Sequence, residues 1–304
     1  MNRLSEFLRM SYAPTFLYGQ KSYRTIEEYV GAICKYIKYT GDPKLTELNA
    51  QNHAKFFQGV RSEKLSEHTI RKYCQHLNTV WSKAGPPGPR NRDALGYLKE
   101  APWIRPPKPF LKLPREVLDS EADKLYEAIS YCSDCYEYPK YLDMELRPVY
   151  WKAIILLVST TAIRRKVVFN LQWKDFDIGY KYFVVPASLD KCRSERRKPV
   201  HPEVLRLLQA IRSEEKVLPW RHDHHKLDQI FHRLNEIAGI MPHLMLHDLK
   251  RYSLQLACRS GVDAATLQML GDHSSLQTTV NHYVRGNLEN YVATVRLPGK
   301  GGGQ

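Results

Sequence analysis

The chain contains no long hydrophobic run. Its longest, Ala153 to Val158, falls far short of the ~20 apolar residues that carry a helix across a bilayer. The opening MNRLSEFLRM has arginines where a secretion signal would have an apolar stretch, so no signal peptide is expected and a cytoplasmic setting is predicted. Cysteine is sparse and scattered, at 34, 74, 132, 135, 192 and 258, which fits reduced thiols packed as small hydrophobes rather than a disulfide framework. Cys132 and Cys135 make one C-x-x-C with no second copy. Only His222, His224 and His225 could complete a four-ligand zinc site, so no metal site is expected. There is no internal repeat, no low-complexity tract, no cluster of carboxylates and none of the aromatic motifs of single-strand readers.

What the chain has in excess is positive charge. Its 304 residues carry 46 Lys and Arg against 32 Asp and Glu, a formal net charge of +14. Residues 1–110 hold 18 basic and 9 acidic side chains (+9), and residues 111–304 hold 28 and 23 (+5). A balance of this size favours a polyanionic partner, nucleic acid first, although charge alone also fits a plain basic surface. With 43% apolar residues the chain can build two cores.

Periodicity predicts mostly helix. Ile26, Tyr29, Val30, Ile33, Tyr36 and Ile37 recur at helical spacing after Ser22, until Gly41-Asp42-Pro43. A second helix is expected at 49–60. A third, capped by Ser66, carries Ile70, Tyr73, Leu77, Val80 and Trp81 on one face and ends at Gly85-Pro86-Pro87. Its other face presents His68, Arg71, Lys72, Gln75, Asn78 and Lys83, either a solvated face or a set of donors for DNA. Residues 1–20 read as an arm. The prolines of 89–112 predict an extended basic linker, with Arg90 and Arg92 placed to follow phosphates and at most a short helix at 91–98.

From 113 onward, helices are predicted with Ser120 as a cap, at 148–160, around Val167 and Val168, from Pro202, and over 223–238. Residues 131–147 read as a loop. Three short strands are expected, at 176–178, 182–185 and 198–201, with a cationic turn at 189–197 that contains Lys191 and Arg193. The fold class is therefore mainly α with a small antiparallel β-sheet, in a helical domain (1–88), a linker (89–112), a second domain (113–292) and a disordered tail (293–304).

The densest chemistry lies in Leu246–Val284, LHDLKRYSLQLACRSGVDAATLQMLGDHSSLQTTVNHYV. A helix opened by His247 ends at Gly261; a shorter one, Ala264–Leu270, is stopped by Gly271; a polar tract then runs to Tyr283. His-x-x-basic, Leu-Gly-x-His-Ser-Ser and a tyrosine about ten residues beyond occur in order. Upstream stand Thr161-Ala162-Ile163-Arg164 and Asn170-Leu171-Gln172-Trp173-Lys174-Asp175. This ordered set resembles the tyrosine recombinase (phage integrase) family, over nearly the whole chain.

The resemblance implies a core-binding domain followed by a catalytic domain. The implied activity is metal-free and ATP-free cutting and rejoining of double-stranded DNA at specific sites, by a tetramer on two DNA partners, in a bacterial mobile element. It implies Tyr283 as nucleophile, Arg164 and Lys250 as phosphate ligands, Lys191 as general acid, His247 in proton transfer and His273 bonded to the phosphate. Arg251, His68, Arg71, Lys72, Gln75, Arg90, Arg92 and Arg193 are candidate DNA contacts. No cofactor is implied.

The chain departs from the pattern at four positions. Lys250 stands where the family has arginine, which removes the two-pronged grip on phosphate. Val167 stands where an acid usually orients the first arginine. Asp272 lies between Gly271 and His273, and His282 occupies the spacing at which many members place the tyrosine. These departures keep a second reading open, a catalytically weakened relative that binds specific DNA without cutting it.

Overall fold

A computed structural model describes residues 3–110, 115–177, 179–190, 192–212, 215–273, 275–277 and 279. Tyr283, Lys191, His282 and the tail lie outside the described residues. The chain divides into two compact units, Met1–Lys112 and Leu113–Gln304. As expected, it is mainly α with a small antiparallel sheet. Among the described residues no helix is long and apolar enough to cross a membrane, and no group of three or more potential metal ligands gathers.

In the first unit, α1 (Leu4–Phe7) continues into a wider π-helical run, Leu8–Leu17. The predicted arm is therefore a core element. Leu4, Phe7, Tyr12, Ala13, Phe16 and Leu17 are buried, because the spacing of these apolar residues survives the intervening polar ones. Three longer helices follow: α2 (Tyr23–Thr40), α3 (Ala50–Ser62) and α4 (Glu67–Ala84). Each starts at a side-chain cap, where Ser22, Asn49 and Ser66 accept from the backbone N–H three residues on. Gly41 ends α2 in the left-handed conformation. Tyr36, Phe56 and Trp81 meet at the centre, fully buried, with the Tyr36 hydroxyl 3.0 Å from His53 Nδ1.

Asn78, expected on the donor face of α4, is buried instead. Its amide donates to the Ile104 carbonyl (2.8 Å) and accepts from the Ile104 N–H (2.9 Å). Residues 91–98 form turns rather than a helix, with Leu95, Gly96 and Leu98 donating to carbonyls at the end of α4. Leu98 and Ile104, in the proline-rich stretch, are buried in this core.

In the second unit, α5 (Asp119–Ala128) begins one residue before Ser120, and its start is capped by the Glu121 carboxylate accepting from the Leu118 N–H (3.0 Å). The stretch read as a loop holds α6 (Ser133–Glu137), with Cys132 and Cys135 buried on either side of its first turn. The central element is α7 (Arg147–Thr161), apolar on all sides and packed against α6, α9 (Pro202–Ala210) and α11 (Leu246–Arg259). Between them come α8 (Arg165–Val168), β1 (Tyr182–Val185) and β2 (Arg196–Pro199). The strands pair antiparallel, Phe183 opposite Lys198 and Val185 opposite Arg196. Of the three expected strands, the one at 176–178 does not form among the described residues: Phe176 makes a single bridge to Phe183, and the strand expected at 198–201 begins two residues earlier. α10 (His224–Ala238) packs on α5, and α12 (Ala264–Gly271) packs on α11.

Gly59 tests the packing of the first unit. A β-carbon there would fall 2.2–2.5 Å from the Tyr39 ring. Gly59→Ala should lower the stability of the unit, since overpacking at ~1–3 kcal/mol exceeds the ~1 kcal/mol of helix propensity gained. Urea denaturation of the wild type and the variant measures the difference.

Candidate active site

The site is assembled where three chain segments stop being helical or extended. α7 ends with Ala162 in the left-handed conformation (φ 53°), and Arg164 follows as the residue that starts α8. α12 ends with Asp272, also left-handed (φ 54°). The expected stop at Gly271 is thus displaced by one residue. Gly271 is the last helical residue, and it is needed there for room: a β-carbon would lie 2.9–3.1 Å from the His273 ring. The third segment is β2, whose inward face carries Lys198 and Arg196 because side chains alternate along a strand.

Asp272 lies at the centre, 4% exposed. Lys198 Nζ is 2.7 Å from its Oδ1; Arg164 Nη1 and Lys250 Nζ are 3.4 and 3.8 Å from its Oδ2. Arg164 Nη2 also donates to the Asp272 carbonyl (2.8 Å). A second acid, Asp190, contacts Arg164 Nη1 (3.3 Å), Arg196 Nε (3.7 Å) and Ser194 Oγ (3.2 Å). Burial by itself would raise the Asp190 carboxyl, but the Cys192 N–H, Ser194, Arg164 and Arg196 hold it below its ordinary range. Four cations thus surround two carboxylates, a surplus of positive charge that suits an anion at the mouth, where Arg164 and Arg196 keep part of their surface in solvent.

Lys250 is not at the mouth. It is 3% exposed, and its ammonium donates to the carbonyls of Ala162 (2.5 Å) and Gly271 (2.8 Å). Desolvation first, then Arg164 and Lys198, outweigh the pull of Asp272 and Asp190 and lower its pKa to about 7. Lys198, fully buried and donating to the Leu270 carbonyl, is lowered for the same leading reason. Both ammonium groups sit at the carbonyl end of α12, where the helix dipole favours cations.

His247 lies in the first turn of α11 and is exposed. Partial desolvation, then the charges of Arg251, Lys250 and Arg164, hold its imidazole below the ordinary value, so the ring is a proton acceptor at neutral pH. His273 Nδ1 lies 2.9 Å from Thr279 Oγ1. Of the six predicted catalytic residues, Arg164, His247, Lys250 and His273 converge in this unit; Tyr283 and Lys191 lie outside the described residues. Residue-by-residue reading missed the roles of Asp190, Arg196, Lys198 and Asp272. Period-two alternation in β2 was the available signal for Arg196 and Lys198, whereas Asp190 had none.

The candidate DNA contacts divide. In the first unit, Arg71, Gln75 and Arg90 line a groove of about 840 Å³ with Lys83, Arg105, Lys108 and the exposed Trp103. His68 and Arg92 are exposed outside that lining, and Lys72 is paired with Glu28 at 2.6 Å. Arg71 spends one donor on the Pro107 carbonyl (3.1 Å), and Lys83 is held by Asn91 and Asp93. In the second unit, Arg193 is exposed and left-handed (φ 53°), while Arg251 is half-buried and paired with Asp248 (3.2 Å).

The profile of the phage integrase family matches residues 120–289, more than half of the chain, and the chain belongs to that family. A curated relative, the tyrosine recombinase XerA of Thermococcus onnurineus (strain NA1), is 24% identical over 273 residues, covering 85% of this chain and 84% of its own. Among solved structures, a lambda integrase tetramer bound to a Holliday junction superposes with a TM-score of 0.69 at 17% identity, covering 91% of this chain and 77% of that one. The Tn1549 transposon integrase in complex with a circular intermediate DNA gives 0.67 at 13% identity, covering 90% and 95%.

The depressed Lys250 predicts a pH dependence of stability. Between about 7 and the ordinary 10.5 the unfolded chain binds a proton that the folded chain does not, so stability should rise with pH across that window. The limiting slope is about 1.4 kcal/mol per pH unit. Lys250→Met should flatten the rise, as measured by urea denaturation from the low to the high end of the window.

Proposed function

We propose that the chain is a site-specific DNA recombinase that cuts and rejoins double-stranded DNA through a 3′-phosphotyrosine intermediate, without metal or ATP. The observation that carries this reading is the surplus of positive charge around Arg164, flanked by His247 and His273, in a chain of the phage integrase family. Tyr283 Oη attacks the scissile phosphorus. The bond from phosphorus to the 5′ oxygen breaks, and the leaving oxygen takes a proton from Lys191. Arg164 stabilises the non-bridging oxygens, His273 bonds to the phosphate, and His247 accepts a proton from the nucleophile. A strand with a free 5′ hydroxyl reverses the step, so the energy of the bond is kept.

The first-unit groove supplies cations and a flat aromatic for the duplex backbone. The solved relatives on a Holliday junction and on a transposon circle support a homotetramer on two DNA partners and a place in a mobile element.

The second reading, a relative that binds specific DNA without cutting it, draws on one observation. Lys250 spends its donors on two backbone carbonyls inside the protein.

A nicked suicide duplex carrying the cognate site, found by selecting bound fragments, separates the two readings. In EDTA, wild-type protein should form a covalent adduct that Tyr283→Phe does not. Specific, salt-sensitive binding with no adduct would establish the second reading, and an adduct gained by Lys250→Arg would then locate the defect. In the groove, Arg90→Ala should weaken binding evenly across sequences and reduce the slope of log affinity against log salt by about 1, read from titrations at several salt concentrations.

A further inference from the structure

We propose that Asp272 is the positioning residue for Arg164, taking the part for which Val167 has no carboxylate. Its catalytic consequence rests on the recombinase reading above; the contact itself does not. Val167 is buried among apolar side chains and offers the guanidinium nothing. Asp272 meets that guanidinium at two points, its carbonyl at Nη2 (2.8 Å) and its Oδ2 at Nη1 (3.4 Å). Two acceptors on two different nitrogens fix the plane of the group, which one contact leaves free to swing. Asp190 adds a third contact, on Nη1 alone (3.3 Å).

The position is one that glycine ordinarily fills. Asp272 is the left-handed residue that closes α12, and aspartate is among the few side chains that tolerate that conformation. A glycine there would close the helix equally well and would leave Lys198 and Lys250 facing Arg164 with no carboxylate between them. The side chain therefore does what the cap does not require: it lies inside a ring of three cations and holds each within 3.8 Å. His273 follows directly in the chain, so one turn both orients Arg164 and delivers the histidine.

The test uses Asp272→Asn, which keeps the shape, the left-handed tolerance and the backbone carbonyl. It also uses the double variant Asp272→Asn/Lys198→Met, which removes the closest buried pair together, while Lys250 keeps its two carbonyl acceptors. Melting curves confirm the fold. Two readouts follow: adduct formation on the suicide duplex, and phenylglyoxal modification of Arg164 in the DNA-free protein, measured by peptide mass spectrometry against Arg193 as internal standard. Both variants should bind the duplex as wild type does, lose about 10²-fold in adduct rate, the scale of a misplaced catalytic group, and show faster modification at Arg164 but not at Arg193. Wild-type adduct rate together with unchanged modification in the double variant would reduce Asp272 to a helix cap and overturn the proposal. If the wild-type protein forms no adduct, the recombinase reading fails by itself. The modification rate then decides the positioning alone, a rise supporting it and no change overturning it.

Discussion

The buried carboxylate of Asp272 is the interaction on which the second unit's site depends. Three cations approach it from three parts of the chain: Arg164 from the end of α7, Lys198 from β2 and Lys250 from α11. Neither lysine would be tolerated at its depth alone, since an unpaired buried charge costs several kcal/mol. The carboxylate offsets that cost and, in doing so, ties the helix end, the strand and the neighbouring helix to one point. The ammonium groups return the favour by donating to the open carbonyls of α12 and to that of Ala162. Charge balance and helix termination are thus the same set of contacts, and the surplus of positive charge left over is what an anionic substrate would meet.

The first unit solves a simpler problem. Its aromatic core around Trp81 orients α4 so that one face is buried and the other lines a basic groove. Asn78 then fastens the proline-rich stretch to that helix through both hydrogen bonds of its amide. This brings Arg105 and Lys108 beside Arg71 and Arg90. The prolines prevent a helix there, as their chemistry requires, but a segment without regular structure still packs when its few apolar residues find a core.

Much of the fold was legible because it rests on local rules. Ser22, Asn49 and Ser66 cap the helices they precede, and Gly41 closes the first long one. Where the reading failed, a non-local contact had decided the matter. The opening residues, mixed in composition, look like an arm until Leu4, Phe7 and Tyr12 find partners far along the chain. Asn78 looks like a surface donor until Ile104 arrives. Phe176 has strand character, yet only one bridge forms, because pairing needs a neighbour in register along its length.

The candidate site shows the same division. The sequence by itself determined the family and the helical character, and it singled out Arg164, His247, Lys250 and His273 as candidates, because ordered motifs survive without knowledge of distance. Only the tertiary structure decided that Lys250 is buried against carbonyls, that Asp272 rather than Gly271 takes the left-handed turn, and that Asp190, Arg196 and Lys198 belong to the same cluster. The physical reason is that charge interactions fall off with distance through space, not along the chain. Asp272 and Arg164 are 108 residues apart in sequence and 2.8 Å apart where the backbone carbonyl meets the guanidinium.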